Sequence, residues 1–403
     1  MKKLARNLIA SLLGYQVRQL YKKNDFKVIG VVGSIGKTST KLAIAKVLGQ
    51  NLKVCYQEGN YNDLVTVPLV FFGEELPSLF SPLAWSGLLA RNQKQLKARY
   101  PYDVVVIELG SDAPGQIAEF KKFLKLEIAV VTSVSPEHMQ SFSSLDKVAD
   151  EELTVKDYSS LLLINQDLTD GKFIKVLGDK LTYGINSKAD YSFESLGVPK
   201  PDVSLAEQYS ALAAAAVAVK LGLPQEDIAA GLTNVKPYAG RMQRLKGIKG
   251  SVIIDDSYNA SPAAMKLALD ELYKQKAPQK IALLGNMNEL GDYAKPAHEE
   301  IGSYCDPRRL DLVVTLGPEA NEYLAPVAQS KGCQVKSFDS PYDAGEYIKS
   351  VIKDKAAVLV KGSQNKVFAE EAIKSLLADK ADESKLVRQS PQWLDVKAKA
   401  FAK

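Results

Sequence analysis

The sequence predicts an α/β protein with two mostly parallel sheets, each in its own domain, and three observations carry that reading. From Lys27 onward, short β-rich runs alternate with helical patterns, the mark of strands joined by crossover helices. The first run leads directly into a glycine-rich turn and a helical pattern. The alternation then breaks at Lys236-Pro237-Tyr238-Ala239-Gly240 and resumes beyond it, as it does across a linker.

Taken in order, the first 23 residues hold Leu4, Leu8, Leu12, Val17 and Leu20 with basic residues between them, which predicts a basic amphipathic helix over 1–25. Three readings of this leader stand: a helix docked on the protein's own surface, peripheral contact with an anionic membrane through residues 1–23, and a targeting segment. Its apolar stretches are far shorter than the roughly 18 residues a membrane span needs, and no small-residue cleavage site follows. Strands are expected at Val28–Val32, Val104–Leu109, Ile128–Thr132 and Leu161–Asn165, forming a domain over 26–236. An alanine-rich helix over Leu205–Leu221 closes this domain and is stopped by Gly222, Leu223 and Pro224. A smaller domain over 237–385 is expected to use strands at Ser251–Asp255, Lys280–Leu284, Leu312–Leu316 and Ala357–Lys361. A polar, mobile tail over 386–403 follows, with Trp393 as its one anchor.

Composition narrows the function. With 46% apolar and 25% charged residues in 403, the chain has ample material for two or three globular domains. Cys55, Cys305 and Cys333 lie far apart and form no C-x-x-C, which argues against a disulfide framework and for a reducing, cytoplasmic setting, at the inner face of the membrane if the leader touches lipid. The net charge is +5, yet Lys2, Lys3, Arg6, Arg18, Lys22 and Lys23 stand in the leader without one acid, so the remaining body is nearly neutral. A nucleic-acid-binding body is normally basic itself, so no nucleic acid is expected as partner.

The glycine-rich turn reads Gly33-Ser34-Ile35-Gly36-Lys37-Thr38-Ser39. Between a strand and a helix, such a turn points backbone N–H groups at phosphates. The helix N-terminus adds positive potential, Lys37 reaches the β/γ-phosphates, and the Thr38 hydroxyl faces Mg²⁺. The eight-residue P-loop pattern fails at its first position, where Val31 stands, and the glycines fall at 30, 33 and 36. This predicts a P-loop NTPase-like central domain binding ATP, followed by a Rossmann-like C-terminal α/β domain; kinase, NTPase and ligase chemistry all stay open. Glu108 ends the second main strand, at the edge where open α/β sheets bind ligands, and reads either as a metal ligand or as a solvated strand-end acid. His138, in Ser135-Pro136-Glu137-His138-Met139, stands at another strand end and reads as a second metal ligand or as a packed loop histidine.

These residues and several further segments together resemble the Mur ligase family, and within it the MurF branch that adds D-Ala-D-Ala to the muropeptide precursor. The likeness runs from about Lys27 to Leu377. Besides the phosphate loop, Ile107-Glu108-Leu109-Gly110 and Ser135-Pro136-Glu137-His138, it is carried by Gly59-Asn60-Tyr61-Asn62, Gly240-Arg241-Met242, Asp255 to Pro262, Leu284 to Gly291 and Val360-Lys361-Gly362-Ser363. The resemblance implies an ATP-dependent carbon–nitrogen ligase: ATP phosphorylates a substrate carboxylate, and an amine attacks the acyl phosphate. It implies that Gly33, Ser34, Gly36, Lys37, Thr38 and Ser39 cradle phosphates, and that Thr38, Glu108 and His138 hold Mg²⁺. Arg241, Asp256, Tyr258 and Asn259 close over the nucleotide. Asn60, Asn62, Asn288, Glu289, Lys361 and Ser363 face the substrates, a small-molecule or lipid-linked peptide and an amino acid or dipeptide. His298 matches a helical histidine of the branch and is expected to serve structure or domain contacts.

Three departures from the family pattern shape the expectations. Where the family carries a carbamylated lysine, aligning Ser144 to Ala149 places Glu152, a permanent anion expected to take the metal-supporting role without CO₂, with Glu151 as the alternative if the register slips by one. Only about 26 residues precede the first strand, in place of the domain that grips the UDP-sugar, so the UDP group is held differently or the substrate is not a UDP-sugar; a lipid-linked precursor fits the basic leader. Glu207-Gln208-Tyr209-Ser210 replaces a G-x-H-N motif ahead of the alanine-rich helix. Two other functions stay in view: a ligase of the same fold acting on folate-like or poly-amino-acid substrates, and a nucleotide-binding subunit that serves a partner.

Overall fold

The structure, a computed structural model, describes residues 2–78 and 81–401 and the side chains from Ala5 onward, so the leader's Lys2, Lys3 and Leu4 lie outside the described side chains. Contacts divide the chain into two units, Met1–Ser135 with Ser141–Lys236, and Pro136–Gln140 with Pro237–Lys403.

The first unit holds a six-stranded parallel sheet of β1 (Lys27–Val32), β2 (Val54–Cys55), β3 (Val104–Glu108), β4 (Leu126–Val131), β5 (Ser159–Asn165) and β6 (Leu181–Tyr183), in the order β2-β3-β1-β4-β5-β6. Helices cover both faces, which is why the central strands read as unbroken apolar runs rather than as alternation. Gly30 belongs to β1 rather than to the phosphate loop, because a Cβ there would lie 2.6 Å from Leu126 Cδ1 of the neighbouring strand. The alanine-rich helix Leu205–Lys220 packs on Lys37–Leu48, the helix that follows the phosphate loop. Ala211 and Ala213 to Ala216 are fully buried, and their small side chains let the two helices approach closely. A capping box starts the alanine-rich helix: Glu207 accepts from the Ser204 N–H and hydroxyl. Tyr209 donates to Asp167 at 3.0 Å, so the departure at 207–210 fills structural roles.

The leader forms the helix Lys2–Lys23 and lies on this unit. Its buried stripe is Leu13, Val17 and Leu20, whereas Leu8 and Leu12 point outward. The sequence reading merged two faces of one helix into a single stripe. Gln16 donates to the Leu89 carbonyl, Arg18 to that of Lys122 and Tyr21 to that of Lys125, while Arg6 pairs with Asp63 at 2.7 Å.

The second unit holds β7 (Gln243–Lys246), β8 (Val252–Asp256), β9 (Lys280–Gly285), β10 (Leu312–Leu316), β11 (Val335–Phe338) and β12 (Ala357–Lys361), ordered β11-β10-β9-β12-β8-β7, with β7 antiparallel to β8 and every other pair parallel. The strands without a counterpart in the sequence reading, β2, β6, β7 and β11, are all short and sit at or beside sheet edges, where neighbours rather than composition decide strand identity. The residues expected as a mobile tail form the helix Pro391–Ala400 after a turn at Arg388. Lys397 is buried with its ammonium on Glu370 and Glu371, and Arg388 pairs with Glu370 at 2.7 Å. The polar composition of the segment conceals a buried charge network.

Candidate active site

In the first unit the carboxyl ends of β1 and β3 and the start of helix Lys37–Leu48 converge. Gly33 has φ +121°, and a Cβ there would sit 2.4 Å from Thr132 Oγ1 and 2.8 Å from Ser133 backbone atoms, so no other residue fits. Gly36 caps the helix in the left-handed region at φ 83°, and no side chain caps that terminus. An N-terminus of this kind presents backbone donors to an anion. The loop is shaped from behind: the N–H groups of Ser34 and Ile35 bond the Ser133 carbonyl and hydroxyl, and the Ser34 hydroxyl bonds the Ser135 carbonyl. Lys37 folds back, its ammonium 2.5 Å from the Gly33 carbonyl, and Ser39 follows in the first helical turn.

Thr38 Oγ1 donates to Glu108 Oε2 at 2.8 Å, both groups buried. Beside them lies Lys41, also buried, with its ammonium 3.5 Å from the same carboxylate oxygen and 2.9 Å from the Gly59 carbonyl. It ties the acid to the loop that carries Asn60 and Asn62. That loop packs just beyond the same strand end, where the Gly110 N–H donates to the Asn62 carbonyl at 2.9 Å and a Cβ on Gly110 would lie 2.6 Å from Asn62 Nδ2. Asn60 is exposed and Asn62 half-buried.

The two adjacent glutamates of helix Leu145–Leu153 face different partners. Glu152 accepts from the Gly33 N–H at 2.8 Å, which places its carboxylate on the phosphate loop. Glu151 accepts from Ser111 Oγ and from the N–H groups of Gly115 and Ile117, holding the loop after β3. Of the two, Glu152 is the one whose carboxylate meets the phosphate loop.

In the second unit the end of β8 supplies Asp255 and Asp256. Asp256 accepts from the Met242 N–H at 3.1 Å and from Lys361 at 2.5 Å, and Lys361, at the end of β12, also donates to the Asn259 carbonyl at 3.0 Å. Asp255 is fully buried. One of its oxygens accepts twice from Ser257, the other has no hydrogen-bond partner among the described residues, and burial pushes the carboxyl up to about 6 against those two bonds. Arg241 lies over the Tyr258 ring, 4.0 Å from its centroid, and Arg388 lies 5.7 Å from the same ring while donating to the Ser257 and Tyr258 carbonyls.

His138, in the 136–140 segment that groups with the second unit, has Nδ1 2.7 Å from Glu289 and Nε2 3.4 Å from Glu137. Burial opposes its charge, but the two carboxylates prevail and raise the imidazole to about 10. Asn288 joins the end of β9 to that of β12: its N–H donates to Ser363 Oγ, and its amide to the Gln364 and Asn365 carbonyls. His298 is fully buried, with Nε2 accepting from the Met287 N–H at 3.0 Å and Nδ1 on the Ala294 carbonyl, and burial lowers its pKa. It is a neutral prop beneath the Asn288–Glu289 loop.

Sequence reasoning missed Lys41, Arg388, Glu370 and Lys397. For Lys41 a signal existed: it falls four residues after Lys37, one turn along the same helix, directly before the apolar run Leu42–Ala45. Arg388 and its partners carry no local signal, since a polar segment only becomes a network once it has docked.

Two family models match the chain: the Mur ligase middle domain over residues 31–205, and the Mur ligase, glutamate ligase domain over residues 240–364. A UDP-N-acetylmuramoyl-tripeptide–D-alanyl-D-alanine ligase of Bacillus subtilis (strain 168) is 29% identical over 318 residues, covering 72% of this chain and 63% of the relative. The ligase of the same name from Synechocystis sp. is 27% identical over 368 residues, covering 87% of this chain and 75% of its own. The chain thus spans 63% to 75% of the length of these two relatives. The crystal structure of MurF ligase from Thermotoga maritima in complex with ADP shares the fold, with TM-score 0.72 and 22% identity over 93% of this chain and 84% of that one.

Proposed function

We propose that this chain, which belongs to the Mur ligase family, is an ATP-dependent ligase that activates a carboxylate of a cell-wall peptide precursor as an acyl phosphate and joins it to an amine. The observation that carries this reading is the Thr38–Glu108 contact at 2.8 Å, beside the uncapped helix terminus that follows Gly33–Gly36. A hydroxyl and a carboxylate meet where the phosphates of a bound nucleotide would lie, and both are the hard oxygen donors that Mg²⁺ accepts. Magnesium bound there would neutralise phosphate charge. Among the described residues no group of three or more His, Cys, Asp and Glu could hold a metal, which fits an ion carried largely by phosphate and water.

In this reading Lys37 turns from the Gly33 carbonyl to the phosphates, and the backbone of Gly33, Ser34 and Gly36 with the Thr38 and Ser39 turn wraps them. Glu108 and Glu152 supply the fixed negative charge that a magnesium–phosphate assembly leans on. Arg241, Asp256, Tyr258 and Asn259 are assigned to the nucleotide, and His138 to the support of a second magnesium ion. Asn60 and Asn62 serve the acceptor, with Asn288, Glu289, Lys361 and Ser363 on the amine side. The γ-phosphoryl group leaves ADP for a carboxylate oxygen. The amine nitrogen then bonds the carbonyl carbon as phosphate departs with that oxygen, and the ammonium proton is released. Positioning and charge neutralisation supply the acceleration.

The curated relatives are named for a UDP-linked muramoyl-tripeptide and D-alanyl-D-alanine, which sets the substrate class to try first. The test is phosphate release from MgATP with UDP-linked and lipid-linked muropeptides as acceptors and D-Ala-D-Ala or single amino acids as amines. Release that requires both partners is the expected result. Tight ATP binding with no release under any pair would replace this reading with that of a partner-dependent nucleotide-binding subunit.

A further inference from the structure

The leader helix presents two apolar faces, and only one is used by the fold. Leu13, Val17 and Leu20 are buried on the first unit, while Leu8, Leu12 and Tyr15 stand 61%, 42% and 52% exposed. Spacings of four and three residues align these three along one line of the helix, on the side away from the buried stripe. An aligned exposed apolar line differs from scattered surface leucines, since it adds up to a continuous surface that water solvates poorly.

The neighbouring helix Pro82–Gln95 carries a further exposed leucine, Leu83. It runs alongside the leader in the same direction, as the pairing of Gln16 with Leu89 and of Lys23 with Leu96 requires. The same offset sets the exposed Leu83 near the Leu8 end of the leader.

Exposed cations accompany the line. Arg18 and Lys22 stand beside it on the helix itself, and Lys121 and Lys125 lie in the loop bound by Arg18 and Tyr21; all four are exposed. Asp63, Glu74 and Glu119 are paired with Arg6, Arg91 and Lys122, whereas Asp25 and Glu75 stand exposed. No helix among the described residues is long and apolar enough to cross a membrane, so contact of this kind is peripheral.

We propose that the outward face of the leader, centred on Leu8, Leu12 and Tyr15, docks on an anionic phospholipid surface. The leucines enter the headgroup boundary while the flanking cations meet the negative surface potential. The Arg6–Asp63 pair and the apolar cluster of Leu13 with Val65 and Leu69, against which Tyr61 packs, tie the leader to the loop holding Asn60 and Asn62. Docking therefore sets the proposed acceptor loop beside the membrane, within reach of a lipid-linked precursor.

The test is flotation of the full chain with phosphatidylcholine vesicles, with and without phosphatidylglycerol, at low and high salt. The expected result is partition onto phosphatidylglycerol vesicles, weakened by salt, and reduced about tenfold or more in a Leu8→Glu, Leu12→Glu variant whose melting temperature is unchanged. Partition that ignores phosphatidylglycerol, or that survives the double substitution, would overturn the proposal. So would a concentration-dependent dimer abolished by the same variant, which would assign the face to a second copy. Vesicle binding needs neither ATP nor acceptor, so a failure of the ligase reading leaves this test standing.

Discussion

Both sheets end a strand on an acid and clasp it with a buried lysine: Glu108 with Lys41 in the first unit, Asp256 with Lys361 in the second. In each, the lysine also binds a loop carbonyl, that of Gly59 or of Asn259. The surroundings differ. Glu108 is buried beside an uncapped helix terminus, whereas the side chain of Asp256 is 14% exposed and its loop is fastened from behind by Arg388. A lysine–acid pair thus braces a loop in both units, with the acid shut away from water in the first and within reach of it in the second.

The largest expected effect breaks the first pair. Lys41→Met strands a buried carboxylate and is expected to cost about 3–5 kcal/mol of stability, mostly recovered by adding Glu108→Gln. Lys361→Met is expected to cost less, about 1–3 kcal/mol, because Asp256 reaches water. Equal losses in chemical denaturation would erase the contrast between the units.

Next in size is Lys37→Ala, which removes a cation from the phosphate loop without emptying a core. Phosphate release is expected to fall about 10²- to 10³-fold with the melting temperature nearly unchanged. A melting temperature that fell with the rate would make Lys37 a structural residue.

The adjacent glutamates sharpen the comparison inside one helix. Glu152→Ala removes the carboxylate from Gly33 and is expected to slow phosphate release about tenfold, a charge-assisted hydrogen bond's worth. Glu151→Ala, which frees three donors of the Ser111–Ile117 loop, is expected to lower stability more than rate. The reverse pattern in matched rate and melting measurements would exchange the two roles.

The smallest effect concerns Asp255. Its carboxyl in the folded chain, at about 6, lies above its ordinary value of 3.8. Its contribution to stability is therefore full below about pH 4 and is lost as pH rises through 6. Asp255→Asn lacks this loss, so the melting difference between variant and parent should move in the variant's favour between pH 4 and 6 and level off above. A difference that is flat across that range would show that the carboxyl titrates normally.

Much of this was legible in the sequence because it is local. β10 and β12 match their expected bounds residue for residue, since a buried parallel strand is an apolar run with turn signals at its ends. Gly33, Lys37, Thr38 and Glu108 were legible because a phosphate loop is one contiguous turn and a strand-end acid needs only its own strand. The choice between Glu151 and Glu152 was not, because adjacent helical residues point about 100° apart and only the packing of their helix says which faces the loop.

By itself, the sequence determined the two α/β sheets, the phosphate turn and the basic leader, since each is written in periodicity, glycine placement or charge within a short window. The tertiary structure decided that Gly30 serves packing, that His138 is clasped by two carboxylates, that Lys41 and Arg388 brace loops far away in the chain, and which leader face is left to solvent. Those outcomes turn on which groups are brought within a few ångströms across long sequence separations, where burial and neighbouring charge set each side chain's role.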